Sequence, residues 1–127
     1  LAGGKVGSLF KRLDRLPAGL SFVEMEVESS EDAVNAALEY ERTFQQTHAH
    51  IPFYLMMDNM APTLLTKTVK ILKTRGLLKF VGLEASGGIN LRNIKKYATT
   101  GVDILSIGAL THSAPAFDIS LKIKRRS

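Results

Sequence analysis

The stretch Phe53-Tyr54-Leu55-Met56-Met57-Asp58-Asn59 carries five apolar residues in succession and then turns polar at once. A strand with one wetted face would alternate. An unbroken run suits a strand buried on both faces, as strands are in parallel sheets covered by helices. Immediately after it, Pro62 stands where a first helical turn tolerates proline, Leu65, Val69 and Leu72 share one helical face, and Gly76 closes the helix. Phe80 to Leu83 reads as the next buried strand and ends in Glu84-Ala85-Ser86-Gly87-Gly88. Asn90 offers a cap for a helix carrying Leu91, Ile94 and Ala98 that stops at Gly101, and Ile104 to Ile107 forms a further strand ending at Gly108.

Upstream, Ser21 to Glu28 alternates with period two, and Ser29 and Ser30 offer an N-cap. Ala33, Val34, Ala37, Leu38 and Phe44 then make the apolar stripe of a helix, followed by a polar loop from Gln45 to His50. Val6, Leu9, Phe10, Leu13 and Leu16 predict another helix, ended by Pro17 and Gly19. At the other end Phe117, Ile119, Leu121 and Ile123 alternate with polar residues, a strand apolar on one face. Strands alternating with amphipathic helices imply parallel pairing through crossovers. An open doubly wound sheet and a closed barrel both satisfy this pattern. A complete (β/α) barrel takes about 250 residues, so four such strands amount to about half of one.

Composition excludes several classes. Hydrophobic residues at 45% and charged residues at 23% describe a globular chain. No apolar run approaches the ~20 residues of a membrane span, and no signal-like segment opens the chain. We therefore expect a cytoplasmic protein without a membrane partner. The absence of cysteine rules out disulfides, thiolate metal sites and a cysteine nucleophile. The net charge of +5 owes much to Lys122, Lys124, Arg125 and Arg126, which read as a solvated tail. No basic stripe interleaved with aromatics points to nucleic acid. His48 and His50 lie in the polar loop without a third ligand and read as solvated.

The chemistry gathers at strand ends. Each of the four strands finishes in carboxylates or glycines: Glu24, Glu26 and Glu28; Asp58-Asn59; Glu84 with Ser86-Gly87-Gly88; and Gly108. Both architectures bind ligands at that edge. Period two sets Glu24, Glu26 and Glu28 on one face of their strand, an ordinary solvated face in an antiparallel sheet. Between crossover helices both faces are expected to be buried, which would be costly without water, a cation or a polar ligand, while Glu28 at the strand exit also reads as solvated. Asp58 could hold ribose hydroxyls or Mg²⁺, or else cap the Pro62 helix, a task Asn59 could also do. Glu84 is either a further substrate or metal contact or the partner of a buried lysine. Ser86-Gly87-Gly88 is expected to run directly into a helix N-terminus and so suits an anion, and Gly108-Ala109-Leu110-Thr111-His112-Ser113 follows the next strand with the same glycine-led, polar character. Two adjacent loops of this kind resemble the phosphate cradle after neighbouring late barrel strands.

At these residues the chain resembles the quinolinate phosphoribosyltransferases, also called nicotinate-nucleotide pyrophosphorylases (carboxylating). The resemblance is carried by Val23-Glu24-Met25-Glu26-Val27, Met57-Asp58-Asn59-Met60, Leu83 to Asn90, Thr100 to Ser113 and Asp118-Ile119-Ser120-Leu121. It implies an α/β fold, the C-terminal half of a TIM-like barrel with parallel strands and outer helices. Residues 1–127 would be one partial barrel domain lacking the N-terminal domain and the first part of the barrel. The implied reaction transfers phosphoribose from phosphoribosyl pyrophosphate (PRPP) to quinolinate, with Mg²⁺, yielding nicotinate mononucleotide, CO₂ and pyrophosphate for NAD biosynthesis. Carried over by motif, Glu26 and Asp58 are the catalytic and metal-binding residues. Ser86, Gly87, Gly88, Gly108 and His112 hold the phosphate, and Glu84 is a possible substrate or metal contact. The basic motifs with which the family grips quinolinate precede the position matched by Leu1, so the chain alone is expected to be inactive. The stretch from Gln45 to Pro52 reads as a loop insertion. The apolar face of the closing strand and an unsealed barrel edge invite pairing, so a homo-oligomer, at least a dimer, is expected. The same two features would serve a non-catalytic assembly module, and serine-glycine phosphate loops also occur in barrel enzymes with other phosphorylated substrates.

Overall fold

The structure, a computed structural model, describes residues 19–47 and 51–108. The helix expected near Val6 to Leu16, the histidines His48, His50 and His112, and the strand expected from Phe117 to Ile123 lie outside the described residues. The elements are β1 (Val23–Val27), α1 (Ser30–Thr47), β2 (Phe53–Asp58), α2 (Pro62–Thr74), β3 (Gly82–Ser86), α3 (Ile94–Ala98) and β4 (Ile104–Leu105). A single turn of 3-10 helix, Leu77–Lys79, precedes β3. The strands form one sheet in the order β1-β2-β3-β4, and every neighbouring pair is parallel. Doubly wound sheets reverse direction at a switch point, whereas a barrel adds each strand beside the last. The described strands follow the barrel pattern.

Helices cover one face of this sheet. On β2, Phe53, Leu55 and Met57 are buried, while Tyr54, Met56 and Asp58 are only half-buried. The run from Phe53 to Met57 is therefore buried fully on one face and partly on the other, because nothing described packs over the second face. The covered face meets Ala33, Ala36, Ala37 and Tyr40 of α1 and Leu65, Val69 and Leu72 of α2. Tyr40 stacks on Phe53 with ring centroids 4.7 Å apart, and its hydroxyl donates to the Ile51 carbonyl.

The helix starts follow local chemistry. Ser29 Oγ accepts the Asp32 N–H at 3.1 Å and donates to Asp32 Oδ2 at 2.6 Å, an N-cap, and Glu31 and Asp32 put negative charge at the positive end of α1. A hydroxyl–hydroxyl bond of 2.6 Å between Ser30 and the buried Thr68 ties that end to α2. In α2, Pro62 occupies the first turn and Ala61 is the N-cap, with no side-chain cap.

Several boundaries differ from the sequence reading. The helix α1 runs through Gln45, Gln46 and Thr47, so these three residues do not belong to the expected polar loop; glutamine is a good helix former and polarity alone does not end a helix. The strand expected at Phe80 to Leu83 lies instead at Gly82–Ser86. The apolar pair Leu77 and Leu78 enters the 3-10 turn, and the Phe80 N–H closes it on the Leu77 carbonyl at 3.0 Å. The α3 helix starts at Ile94 because Asn90 and Asn93 consume the preceding residues in a turn. Asn93 Oδ1 accepts the Asn90 N–H at 2.8 Å and Asn90 Oδ1 accepts the Arg92 N–H at 2.9 Å. Leu91 is consequently 76% exposed rather than on an inner face, while Tyr97, read as surface, is buried.

Candidate functional site

Parallel register fixes which side chains share a surface. Glu24 is level with Tyr54 and Gly82, Glu26 with Met56 and Glu84, and Asp58 with Ser86. Residues paired across a sheet point to the same side, and alternate residues along a strand do likewise. Glu24, Glu26, Tyr54, Met56, Asp58, Gly82, Glu84 and Ser86 therefore occupy the uncovered face. Its polar members climb toward the C-terminal edge, where Glu28, Asp58-Asn59, Ser86-Gly87 and Ser106 leave their strands together. Ser106 stays in step there, donating its N–H to the Ala85 carbonyl at 2.9 Å. Gly108, exposed, follows two residues later.

Asp58 sits at the centre of this rim. Because Ala61 is the N-cap of α2, neither Asp58 nor Asn59 serves the helix, which removes the structural alternative for both. Asn59 instead adopts a left-handed backbone, φ 53°, and its side-chain amide donates to Asp58 Oδ2 at 2.5 Å. Its main-chain N–H donates to the Ser86 carbonyl at 3.0 Å. Gly87 and Gly88 both have positive φ, 86° and 65°. Among the described residues no backbone carbonyl takes up the N–H of either glycine. Ser86-Gly87-Gly88 does not enter a helix directly, since five residues separate Gly88 from Ile94. Any anion held here would meet the turn itself rather than a helix dipole.

A second cluster lies deeper. Glu84 is buried at 6% exposure, and Ser106 Oγ donates to its Oε1. Among the described residues no lysine or arginine pairs with it, so the alternative of a lysine partner fails there. Its other neighbour is the exposed Glu24, whose pKa is raised above the 4.5 of a free glutamate. Desolvation is the largest cause, followed by the hydrogen bond with Glu84 and their like charge. A raised folded-state pKa gives stability that is fully present below about pH 4.5 and lost as pH climbs through the folded value. Replacing Glu24 with glutamine removes that loss. The thermal midpoint of E24Q should match the parent at about pH 4 and exceed it at about pH 7. A difference that is constant with pH would refute the assignment.

Sequence reasoning had singled out Glu26, Asp58, Glu84, Ser86, Gly87, Gly88 and Gly108, and the parallel register brings Glu26, Asp58, Glu84 and Ser86 onto one face. It missed Ser106, which period two counted forward from Ile104, the partner of Glu84, would have set on the face of Glu84. It also missed Tyr54, whose ring lies over Gly82 so closely that a Cβ there would come within 2.4 Å of it.

Parallel strands in sequence order, with carboxylates and a glycine turn at their C-terminal ends, define a segment of an α/β barrel of the TIM-like class. The family model "Quinolinate phosphoribosyl transferase, C-terminal domain" matches residues 2–122, and the chain belongs to this family. It is 41% identical over 122 residues to the probable nicotinate-nucleotide pyrophosphorylase [carboxylating] of Methanothermobacter thermautotrophicus, covering 94% of this chain and 40% of that protein. The human nicotinate-nucleotide pyrophosphorylase [carboxylating] is 37% identical over 101 residues, covering 80% of this chain and 30% of its own length. Among solved structures, the nicotinate-nucleotide pyrophosphorylase of Francisella tularensis superposes with a TM-score of 0.64 at 28% identity, over 91% of this chain and 36% of that one. NadC of Streptococcus pyogenes gives 0.65 at 26% identity, over 95% and 37%. The chain thus spans about two-fifths or less of these relatives. No helix among the described residues is long and apolar enough to cross a membrane.

Proposed function

We propose that this chain is the phosphoribose-binding part of an enzyme that transfers phosphoribose from PRPP to quinolinate, giving nicotinate mononucleotide, CO₂ and pyrophosphate in NAD biosynthesis. The observation that carries the proposal is the register of Asp58 with Ser86 on adjacent parallel strands, which sets a carboxylate beside a glycine turn on one rim. The names of the relatives, nicotinate-nucleotide pyrophosphorylase and quinolinate phosphoribosyltransferase, supply the reaction. Ser86, Gly87 and Gly88, with Gly108 and His112, would hold the 5′-phosphate. Glu26 and Asp58 would accept hydrogen bonds from ribose hydroxyls. As the bond from C1 to pyrophosphate lengthens, the sugar ring gains positive charge, and two fixed carboxylates on the same face lower the energy of that state.

Mg²⁺ fits this donor set. Among the described residues no three His, Asp or Glu side chains gather as a metal cage. Magnesium characteristically takes one or two carboxylates and completes its shell with water and substrate phosphates. Glu26 and Asp58 would hold it, and when bound it would neutralise charge on the departing pyrophosphate. The reading further includes a homo-oligomer, and a cytoplasmic location for which the mitochondrial name of a Nicotiana tabacum relative is the competing assignment.

Titrating the chain with PRPP in the presence of Mg²⁺ tests the site. Asp58→Ala should weaken binding at least about tenfold, through loss of charged contacts. Ser86→Glu, which sets a carboxylate against the phosphate, should weaken it more. Unchanged binding in both variants would overturn the assignment. Release of labelled CO₂ from quinolinate should need the rest of the barrel as well as this chain.

A further inference from the structure

We propose that Asn59 is a positioning residue that locks the Asp58 carboxylate and the Ser86-Gly87 turn into one rigid unit. The inference rests on the rim being a phosphoribose site and concerns how its two halves are held in register. Three observations on different atoms converge on this residue, two of them on its side chain. Its amide nitrogen donates to Asp58 Oδ2, which fixes the carboxylate from one side. Its main-chain N–H donates to the Ser86 carbonyl at 3.0 Å, joining β2 to β3 one residue beyond the end of β2. Its carboxamide oxygen also lies against Gly87: a Cβ added at Gly87 would meet Asn59 Oδ1 at 2.4 Å and Cγ at 2.7 Å. Oxygen and nitrogen of one carboxamide thus face the phosphate turn and the carboxylate respectively.

The backbone at Asn59 explains why this residue type can do so. Its φ of 53° is left-handed, a conformation asparagine tolerates far better than most residues with a side chain. Left-handed geometry at the strand end lets the side chain fold back over the rim instead of continuing outward as a helix cap, and the cap position has moved to Ala61. A phosphate and a ribose–metal group belong to one ligand, so holding their two sites at a fixed spacing lowers the ordering that binding must impose.

The test titrates ribose 5-phosphate into the chain and into N59G and N59A, with and without Mg²⁺. Glycine keeps the left-handed backbone free of strain while removing the carboxamide, so N59G isolates the clamp, and N59A adds backbone strain to the same loss. Mg²⁺ should tighten ribose 5-phosphate binding by the parent. N59G should bind about tenfold more weakly and lose most of the Mg²⁺ enhancement. Parent-like affinity and Mg²⁺ dependence in N59G would overturn the proposal. Amide hydrogen exchange without ligand provides an independent arm. In N59G the amide at position 59 should exchange about tenfold faster while Leu55 and Leu83 keep their rates. Uniform acceleration, or none, would mark a merely structural side chain and overturn the clamp. Failure of the parent to bind ribose 5-phosphate would refute the phosphoribose reading, and the exchange arm would then decide the clamp alone.

Discussion

Phe53→Ala is expected to lower stability by about 3–5 kcal/mol, the range for removing a large aromatic side chain from a packed core. Phe53 is 2% exposed and stacks on Tyr40 at 4.7 Å, so its loss opens a cavity between β2 and α1 and removes this stacked ring from Tyr40. Single domains hold together by only about 5–15 kcal/mol, and this one substitution could consume most of that margin. Urea unfolding followed by circular dichroism would show a lowered midpoint with an unchanged slope. The adjacent Tyr54 serves as the internal control. It is half-buried on the uncovered face, and Tyr54→Ala should cost about 1–2 kcal/mol. Equal costs at the two positions would contradict the assignment of helices to one face.

That asymmetry is what the sequence could not resolve. Five consecutive apolar residues announce a buried strand, but burial depends on what lies over each face, and only one face of β2 is covered by described elements. Period two in Val23 to Val27 was legible because glutamates and aliphatics alternate, and the structure leaves Glu24 and Glu26 exposed with Val27 buried. The helix α2 was legible in its Pro62 start and in Leu65, Val69 and Leu72, all buried as the spacing requires. Illegible were the limits of β3 and α3. Phe80 and Val81 have strand propensity, yet the chain needs a turn after α2 and takes the neighbouring leucines for it, so propensity yields to connection geometry. Asn90, expected to cap the helix, lies in a turn instead: a second asparagine three residues on completes that turn, delays the helix and takes the N-cap position.

The candidate site was easier to read than the secondary structure, for a physical reason. Strand ends in a parallel sheet fall at one edge whatever the exact boundaries, so moving the start of β3 by two residues and its end by three leaves Ser86-Gly87 on the same rim as Asp58. Hydrogen bonds among the site residues were not legible, because they depend on backbone angles. Nothing in Asp58-Asn59 declares that Asn59 is left-handed and folded over its neighbour rather than capping a helix. Ser106 was hidden in the same way, since its partner Glu84 is 22 residues distant.

Gly87→Ala should have the largest effect on ligand binding, abolishing ribose 5-phosphate recognition or weakening it at least about a hundredfold while costing about 2–3 kcal/mol of stability. Two separate causes act there. The φ of 86° is outside the range that alanine adopts readily. The new Cβ would also lie 2.7 Å from the main-chain nitrogen of Asn59, an atom that cannot rotate aside as a side chain can. Relief requires β2 and β3 to part at their ends, which breaks the bond from the Asn59 N–H to the Ser86 carbonyl and moves Asp58 away from the phosphate turn. Gly88→Ala separates the two causes. Gly88 has a φ of 65° but nothing within 4 Å of its missing Cβ, so that variant meets only the left-handed backbone cost of about 1–2 kcal/mol. Calorimetric titration with ribose 5-phosphate, paired with thermal unfolding of both variants, would distinguish them. Gly87→Ala should lose binding out of proportion to its stability loss, because the clash acts on the spacing of the rim. Were the two variants to lose stability and affinity equally, backbone strain alone would account for both, and close packing of Asn59 on Gly87 would have no part in shaping the site.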